Sequence, residues 1–366
     1  VERVAAALQN EIDTSLALDP SLPGIAATVL APRIGLTWSG ASGMANPEAG
    51  ERLTPDHAFR IASITKPFTS TVALRLFEQG RFDLFAPITR WLDARTDRAL
   101  RSAGYRPEGI TAYHLLTHAS GLRDHAGADT RYGEAVMRDP ARCWTHAEQI
   151  EFCMAEGAPI ALPGLRFSYS DTGYVILAEL LERTTGSELH ALIREVLDLG
   201  PHRFVHTHFE RHESPPPGQR RARQSIGEID VATIDCSCDL FGGGGLISTT
   251  GELAVFIREA ALGRFFDQPS TLPLALTTPT LLCNPPKEAL HSALMRGRWV
   301  GGEPCWMHGG FWGAVAAYGP GSDIAIAVSF NQARPGISTA GEPGNPDRPS
   351  IADRLIRIAR QAALQS

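Results

Sequence analysis

At 366 residues and a formal charge of −6, from 34 basic and 40 acidic side chains, the chain can bury a large core but has no basic excess to hold a nucleic acid. No apolar stretch approaches the length that spans a bilayer. Val1-Glu2-Arg3-Val4 opens a charged amphipathic helix with no basic n-region or apolar h-region, which favours a cytoplasmic location; a periplasmic or secreted one follows if a leader was removed before Val1.

Residues 1–16 read as that helix, Gly24 to Leu30 as a strand and 34–40 as a second, with Pro32 and Arg33 in the turn. After Ser63, the apolar residues Phe68, Val72, Leu74, Leu76 and Phe77 recur at helical spacing up to Gly80, and Pro67 falls in the first turn, where a missing N–H is tolerated. Ser63 is thus expected to cap a buried helix. Helical pattern dominates to about residue 200. Strand pattern returns at Trp306–Phe311, Ala314–Tyr318 and Asp323–Phe330, with Trp306 and Met307 assigned to the sheet core, and an amphipathic helix follows (Ile351, Leu355, Ile358, Ala362). Strands from both ends make one sheet. The expected fold class is α/β plus all-α: an antiparallel sheet flanked by terminal helices (1–62 and 245–366), an inserted, mainly helical domain (63–244) and a site in the crevice between them.

The chemistry is concentrated in three places. Ser63-Ile64-Thr65-Lys66 sets a hydroxyl and an ammonium three residues apart, on one helical face, where Lys66 can help take the proton that Ser63 loses as it attacks. Tyr169-Ser170-Asp171 lies on a loop entering a helix (Tyr174, Val175, Leu177, Ala178, Leu181), and a tyrosinate beside a lysine is a credible general base. His308-Gly309-Gly310 ends a strand, and its glycines let a ligand approach the backbone. Taken singly, Tyr169 is also a half-buried loop residue, His308 a satisfied histidine and Gly309-Gly310 a turn. Their order and surroundings outweigh those readings.

At these residues the chain resembles the serine penicillin-recognising enzymes, specifically the group of class C β-lactamases, D-alanyl-D-alanine carboxypeptidases, D-aminopeptidase, D-amino acid amidase and esterases of β-lactamase fold. Phe59–Lys66, Tyr113–Leu122, Pro163–Tyr174 and Gly242–Thr249 look like signatures of the same family. The resemblance implies a β-lactamase/transpeptidase-like fold and an acyl-enzyme mechanism without cofactor or metal. Ser63 attacks a carbonyl, Lys66 and Tyr169 shuttle its proton, His308 completes the catalytic set, and the backbone N–H groups of Ser63 and Phe311 form the oxyanion hole.

Two departures bear on the substrate. Many relatives have Asn where Asp171 stands, and Lys-Thr-Gly or His-Thr-Gly where this chain has His308-Gly309-Gly310. Glycine at 309 removes a hydroxyl that would help hold a substrate carboxylate, and histidine gives only a part-time positive charge. That argues against a dedicated carboxypeptidase or an efficient β-lactamase and toward small esters or D-aminoacyl amides. Asp171 can pair with Lys66 or accept from a substrate amine. The partner expected is thus a small-molecule ester or amide; a penicillin-binding sensor that acylates without turnover is the non-enzyme alternative. Oligomeric state is left open.

The remaining signals are read more plainly. The loop from Ile226 to Phe241 is placed to wall the cleft, with Cys236, Asp239, Leu240 and Phe241 as specificity candidates, and Arg220, Arg221 and Arg223 read as a solvated face of a flexible loop. His114 and His118 are expected to be structural. The six cysteines (143, 153, 236, 238, 283 and 305) lack zinc spacing and read mostly as free thiols, with a Cys283–Cys305 disulfide open to an exported protein. His202, His206, His208 and His212 resemble a metal tract, but their mixed spacing argues against a site.

Overall fold

The computed structural model describes residues 1–126, 130–199, 204–279, 290–333 and 350–365. Helix α1 (Glu2–Leu18) is followed by the hairpin β1 (Gly24–Ala31) and β2 (Leu36–Asn46), then by short strands β3 (Glu51–Arg52) and β4 (Phe59–Arg60). Next come α2 (Thr65–Glu78), α3 (Ala94–Ser102), α4 (Ala112–Leu116), α5 (Arg131–Arg138), α6 (His146–Ala155), α7 (Asp171–Thr185) and α8 (Leu189–Leu199). Strands β5 (His208–Phe209), β6 (Ser225–Ile226), β7 (Ile229–Asp230) and β8 (Leu246–Ser248) lead to α9 (Thr250–Ala261) and α10 (Thr271–Leu276). The chain returns through β9 (Leu290–His291), β10 (Arg296–Val300), β11 (Glu303–Gly310), β12 (Ala314–Gly319) and β13 (Ile324–Ser329) to α11 (Ile351–Gln365).

Strands from both ends form one eight-stranded antiparallel sheet in the order β3-β2-β1-β13-β12-β11-β10-β9. Its centre is covered on both faces, so β12 and β13 are buried at every residue and read as continuous apolar runs. On one face, Leu8 and Ile12 of α1 and Leu355 and Ile356 of α11 pack over Val29, Val315 and Ile326. On the other, α9 lies over Ala314, Ala316 and Ala327, and its Phe256 stacks on Phe68 of α2 with ring centroids 3.4 Å apart. From there the same core runs on to Leu115 and Leu177, so the helical region is joined to the sheet through α9 and α2. Strand β2 is longer than its apolar alternation suggests, because pairing with β1 extends it through Ser42 and Gly43. Among the described residues no helix is long and apolar enough to cross a membrane.

A second, three-stranded sheet, β4-β8-β5, positions the nucleophile segment. Phe59 and Arg60 pair with Ser248 and Ile247, and Ile61 N–H donates to the Leu246 carbonyl at 3.1 Å. Of the arginines expected to be a solvated face, Arg220 and Arg221 are exposed, and Arg221 and Arg223 are also paired. Arg221 meets Glu210 at 2.7 Å, Arg223 meets Asp230 at 2.9 Å, and Ala58 exchanges backbone hydrogen bonds with Arg220 and Ala222, which ties this stretch to the entrance of β4.

Candidate active site

Arg60 anchors the strand that delivers Ser63: Nε donates to Glu210 at 2.6 Å, and the two terminal nitrogens donate to the Val231 and Ile234 carbonyls at 2.8 and 2.9 Å. Ser63 then sits in a single 3₁₀ turn, Ala62–Ile64, ahead of α2. Ile64, not Ser63, occupies the N-cap position, and no side chain caps the helix. The serine hydroxyl is committed to the lysine instead. Ala62, with φ 46°, holds the left-handed conformation that costs a non-glycine residue energy and here turns the chain sharply into the site.

Lys66 is fully buried, and its Nζ donates to Ser63 Oγ at 2.9 Å, to the Gly243 carbonyl at 3.1 Å and to Asp171 Oδ1. Burial by itself lowers the lysine pKa, but the Asp171 charge and then Tyr169 outweigh it and hold the ammonium above its ordinary range. Asp171 mirrors this. Burial raises its pKa, and Lys66 overrides burial to keep it low. Of the two roles open to Asp171, pairing with Lys66 is the one observed. Tyr169 stands beside Ser63 with its ring 5.1 Å from Lys66 Nζ, and burial, only partly opposed by Lys66, pushes its phenol upward. The resting set is therefore an ammonium, a carboxylate and a neutral phenol.

The loop carrying Tyr169 is held by one local cap and by groups about fifty residues earlier in the chain. Ser170 is the N-cap of α7, accepting from Gly173 N–H at 3.1 Å while its hydroxyl donates to the Arg123 carbonyl at 2.7 Å. Ser170 N–H donates to His118 Nδ1 at 3.1 Å, and the His118 ring stacks on Tyr169 at 4.2 Å. His114 closes a capping box at the start of α4. Both histidines are structural in geometry, and His118 also aims the tyrosine.

His308 differs from its expected charge. Burial, and then the neighbouring Lys66, push its pKa down to about 3, so the ring is neutral in the physiological range and carries no part-time positive charge. Nδ1–H donates to the Gly309 carbonyl at 2.9 Å, which leaves Nε2 as an acceptor with no partner among the described residues. Its ring lies 6.4 Å from that of Tyr169. The use of Gly310 also differs from expectation: a Cβ there would meet the Ile61 carbonyl oxygen at 2.2 Å, so glycine makes room for the Ser63 turn itself.

Two cavities meet at the serine. The larger, about 370 Å³, is walled mainly by apolar and aromatic side chains, among them Tyr132, Val136, Ile226, Phe241 and Trp312. The smaller, about 240 Å³, is lined by Phe167, His291, Arg296, His308, Gly309 and Gly310. Ser63, Tyr169 and Phe311 border both. Phe241 and Asp239 thus do wall the cleft, whereas Leu240 is buried in the core and Cys236 packs at its edge.

Two further carboxyl groups stand near the site, Asp124, which carried no sequence pattern, and Asp239, one of the expected specificity candidates. Asp124, at one side of the larger cavity, accepts from Asp171 N–H at 2.9 Å, and burial, then Asp171, raise its pKa well above the usual range. Asp239 accepts from Trp312 Nε1 at 3.3 Å, and burial, then Asp171, push it up to about 7. Among the described residues the cysteines 143, 153, 236, 238 and 305 are free thiols; Cys283, and with it the Cys283–Cys305 pairing, lies outside them.

A serine and lysine one turn apart, at the junction of a helical region and an antiparallel sheet closed by both chain ends, define the class: β-lactamase/transpeptidase-like proteins with an S-x-x-K centre. Residues 6–343 match the Beta-lactamase family model, and the chain belongs to that family. It is 34% identical over 182 residues to "Esterase EstB" of Burkholderia gladioli, covering 48% of this chain and 45% of that protein. The chain spans about half the length of the curated relatives it matches. A D-stereospecific amidohydrolase from Streptomyces sp. superposes with a TM-score of 0.74 at 25% identity, covering 90% of this chain and 94% of that one. The D-amino acid amidase of Ochrobactrum anthropi SV3 superposes with a TM-score of 0.77 over 99% of each chain at 21% identity, a likeness of fold.

Proposed function

We propose that this protein is a serine hydrolase that passes through an acyl-enzyme on Ser63, acting on small esters with uncharged acyl groups and, secondarily, on D-aminoacyl amides. The observation that carries the reading is Ser63 Oγ held 2.9 Å from Lys66 Nζ, beside Tyr169, where the two cavities meet. An esterase and a D-stereospecific amidohydrolase among the similar proteins support it.

The proton inventory sets the mechanism. With Lys66 protonated and Asp171 ionised, Ser63 has no free base at rest. As Ser63 Oγ bonds to the substrate carbonyl carbon, the Lys66 proton shifts to Asp171 and the serine proton to Lys66, so the buried set keeps its total charge. The Ser63 and Phe311 backbone N–H groups face the developing oxyanion. Tyr169, bordering both cavities, relays the proton from Lys66 to the departing alkoxide or amine. Water then attacks the acyl ester by the same path in reverse. The larger apolar cavity takes the acyl group, and the smaller one takes the leaving group against the His308 acceptor.

A second reading, with free-amine acyl groups preferred, is favoured by one observation: Asp239 lines the larger cavity, is not paired with a cation among the described residues as Asp171 is, and titrates near 7, so it gains a negative charge there above that pH.

Ser63→Ala tests the reading by removing both turnover of p-nitrophenyl acetate and covalent labelling by a serine-reactive phosphonate; label on another residue sinks the nucleophile assignment. Lys66→Ala and Tyr169→Phe each lower kcat/KM by about 10²-fold or more. A stoichiometric burst followed by silence would make the protein an acylatable sensor.

A further inference from the structure

We propose that Glu188, His190 and His212 form a binding site for a divalent transition-metal ion, with Zn²⁺ as its representative. The histidine-rich stretch seen in the sequence does not assemble as a unit: His208 is buried on β5 and His206 N–H donates to Glu252 at 2.8 Å, while His202 lies outside the described residues. His212 alone turns toward the helical region. There it meets two residues with no place in the tract, and the ligand atoms of all three lie within 4.8 Å of one another.

The geometry is that of a site with one carboxylate and two imidazoles. Glu188 Oε2 lies 3.2 Å from His190 Nδ1 and 3.7 Å from His212 Nδ1, and the two rings stack with centroids 4.9 Å apart at 20°. Both Nδ1 atoms thus face one carboxylate oxygen. The group borders a cavity of about 350 Å³ that Glu179 and Glu182 also line, which offers room for water and a negative surround for a dication. Two imidazoles select a transition ion over Ca²⁺ or Mg²⁺, which take oxygen ligands, and three protein ligands leave an open position for water.

The two halves of the site are positioned independently of any ion. Glu182 accepts from Leu189 N–H at 2.8 Å, fixing the start of α8 that carries His190. Arg194 of the same helix meets Glu213 at 3.0 Å, and Glu213 accepts in turn from Phe209 N–H at 2.6 Å, fixing the turn that carries His212. A bound ion would staple α8 to the turn after β5, whose partner β8 also pairs with β4, the strand leading to Ser63. Glu188, His190 and His212 line neither of the two cavities that meet at Ser63, so the site acts on stability and not in the reaction.

The test is titration of chelator-stripped full-length protein with Zn²⁺ by calorimetry at pH 7.5, beside His190→Ala, His212→Ala and the double variant. One saturable site per chain is expected, weakened about tenfold or more by each single change and abolished by the double. Zn²⁺ at a hundred times its Kd should raise the wild-type Tm by about 3 °C and leave the double variant unmoved. Binding should weaken toward pH 5.5 as protons compete for the imidazoles. Both histidines are partly exposed and remote from Ser63, so circular dichroism and metal-free ester turnover verify that the variants are folded. No saturable site, equal affinity in the double variant, or equal competition by Ca²⁺ would overturn the proposal.

Discussion

Lys66 and Asp171 form a buried ion pair at the foot of the nucleophile, each overriding the pull of burial toward the other's neutral form. The pair sets how tightly the resting site holds its proton. In Asp171→Asn the negative charge that keeps the ammonium protonated is gone, so the Lys66 pKa falls. With no carboxylate left to take the Lys66 proton, the neutral amine must form before Ser63 attacks, so the acid limb of kcat/KM should move to higher pH, from the Asp171 carboxylate toward the Lys66 ammonium. Because Asp171 is occupied by Lys66, acetyl esters and D-aminoacyl esters should lose rate together at neutral pH. A loss confined to the aminoacyl ester would make Asp171 the amine receptor.

Asp239 offers a different handle. With its pKa near 7, it is neutral below that pH and adds a negative charge to the larger cavity above it. For an ester whose acyl group carries a fixed quaternary ammonium, kcat/KM relative to p-nitrophenyl acetate should rise between pH 6 and 8. Asp239→Asn should flatten that ratio. A ratio that is flat in the wild type removes Asp239 from acyl recognition.

At His308 the sign of the charge is in question. A ring with pKa pushed down to about 3 lends no positive charge to a substrate carboxylate at any pH from 5 to 8. Imidazole NMR resonances of His308 should not titrate in that range. His308→Lys should raise kcat/KM for D-Ala-D-Ala peptides relative to acetyl esters by about tenfold, the worth of one added charge-assisted hydrogen bond. An unchanged ratio would mean that the smaller cavity does not receive the leaving group.

Gly310→Ala tests the contact between β11 and the nucleophile turn. The added methyl would fall 2.2 Å from the Ile61 carbonyl oxygen, so backbone must shift, at a cost of about 1–3 kcal/mol. Thermal denaturation should show a lower Tm, and ester turnover should fall because Phe311 moves away from Ser63. Wild-type turnover and Tm together would mean that the two segments separate freely.

Local relationships are legible in the sequence of residues itself. The three-residue spacing of Ser63 and Lys66 fixes their approach, because one helical turn brings them to the same side whatever surrounds them. Apolar runs at both ends of the chain mark β1, β12, β13 and α11, and the apolar spacing from Tyr174 to Leu181 marks α7, whereas the cap expected of Ser63 is found at Ser170. What tertiary structure alone decided was charge state and meeting. Desolvation removed the charge from His308, and the arrival of Asp171, 105 residues after Lys66, kept the lysine protonated. Gly310 reads as an open strand end until the Ile61 carbonyl is brought against it. Likewise His212 reads with its neighbours in sequence until folding sets it beside Glu188 and His190. Dihedral preferences and periodicity act over a few residues, whereas burial and Coulomb terms depend on which distant segments a position meets.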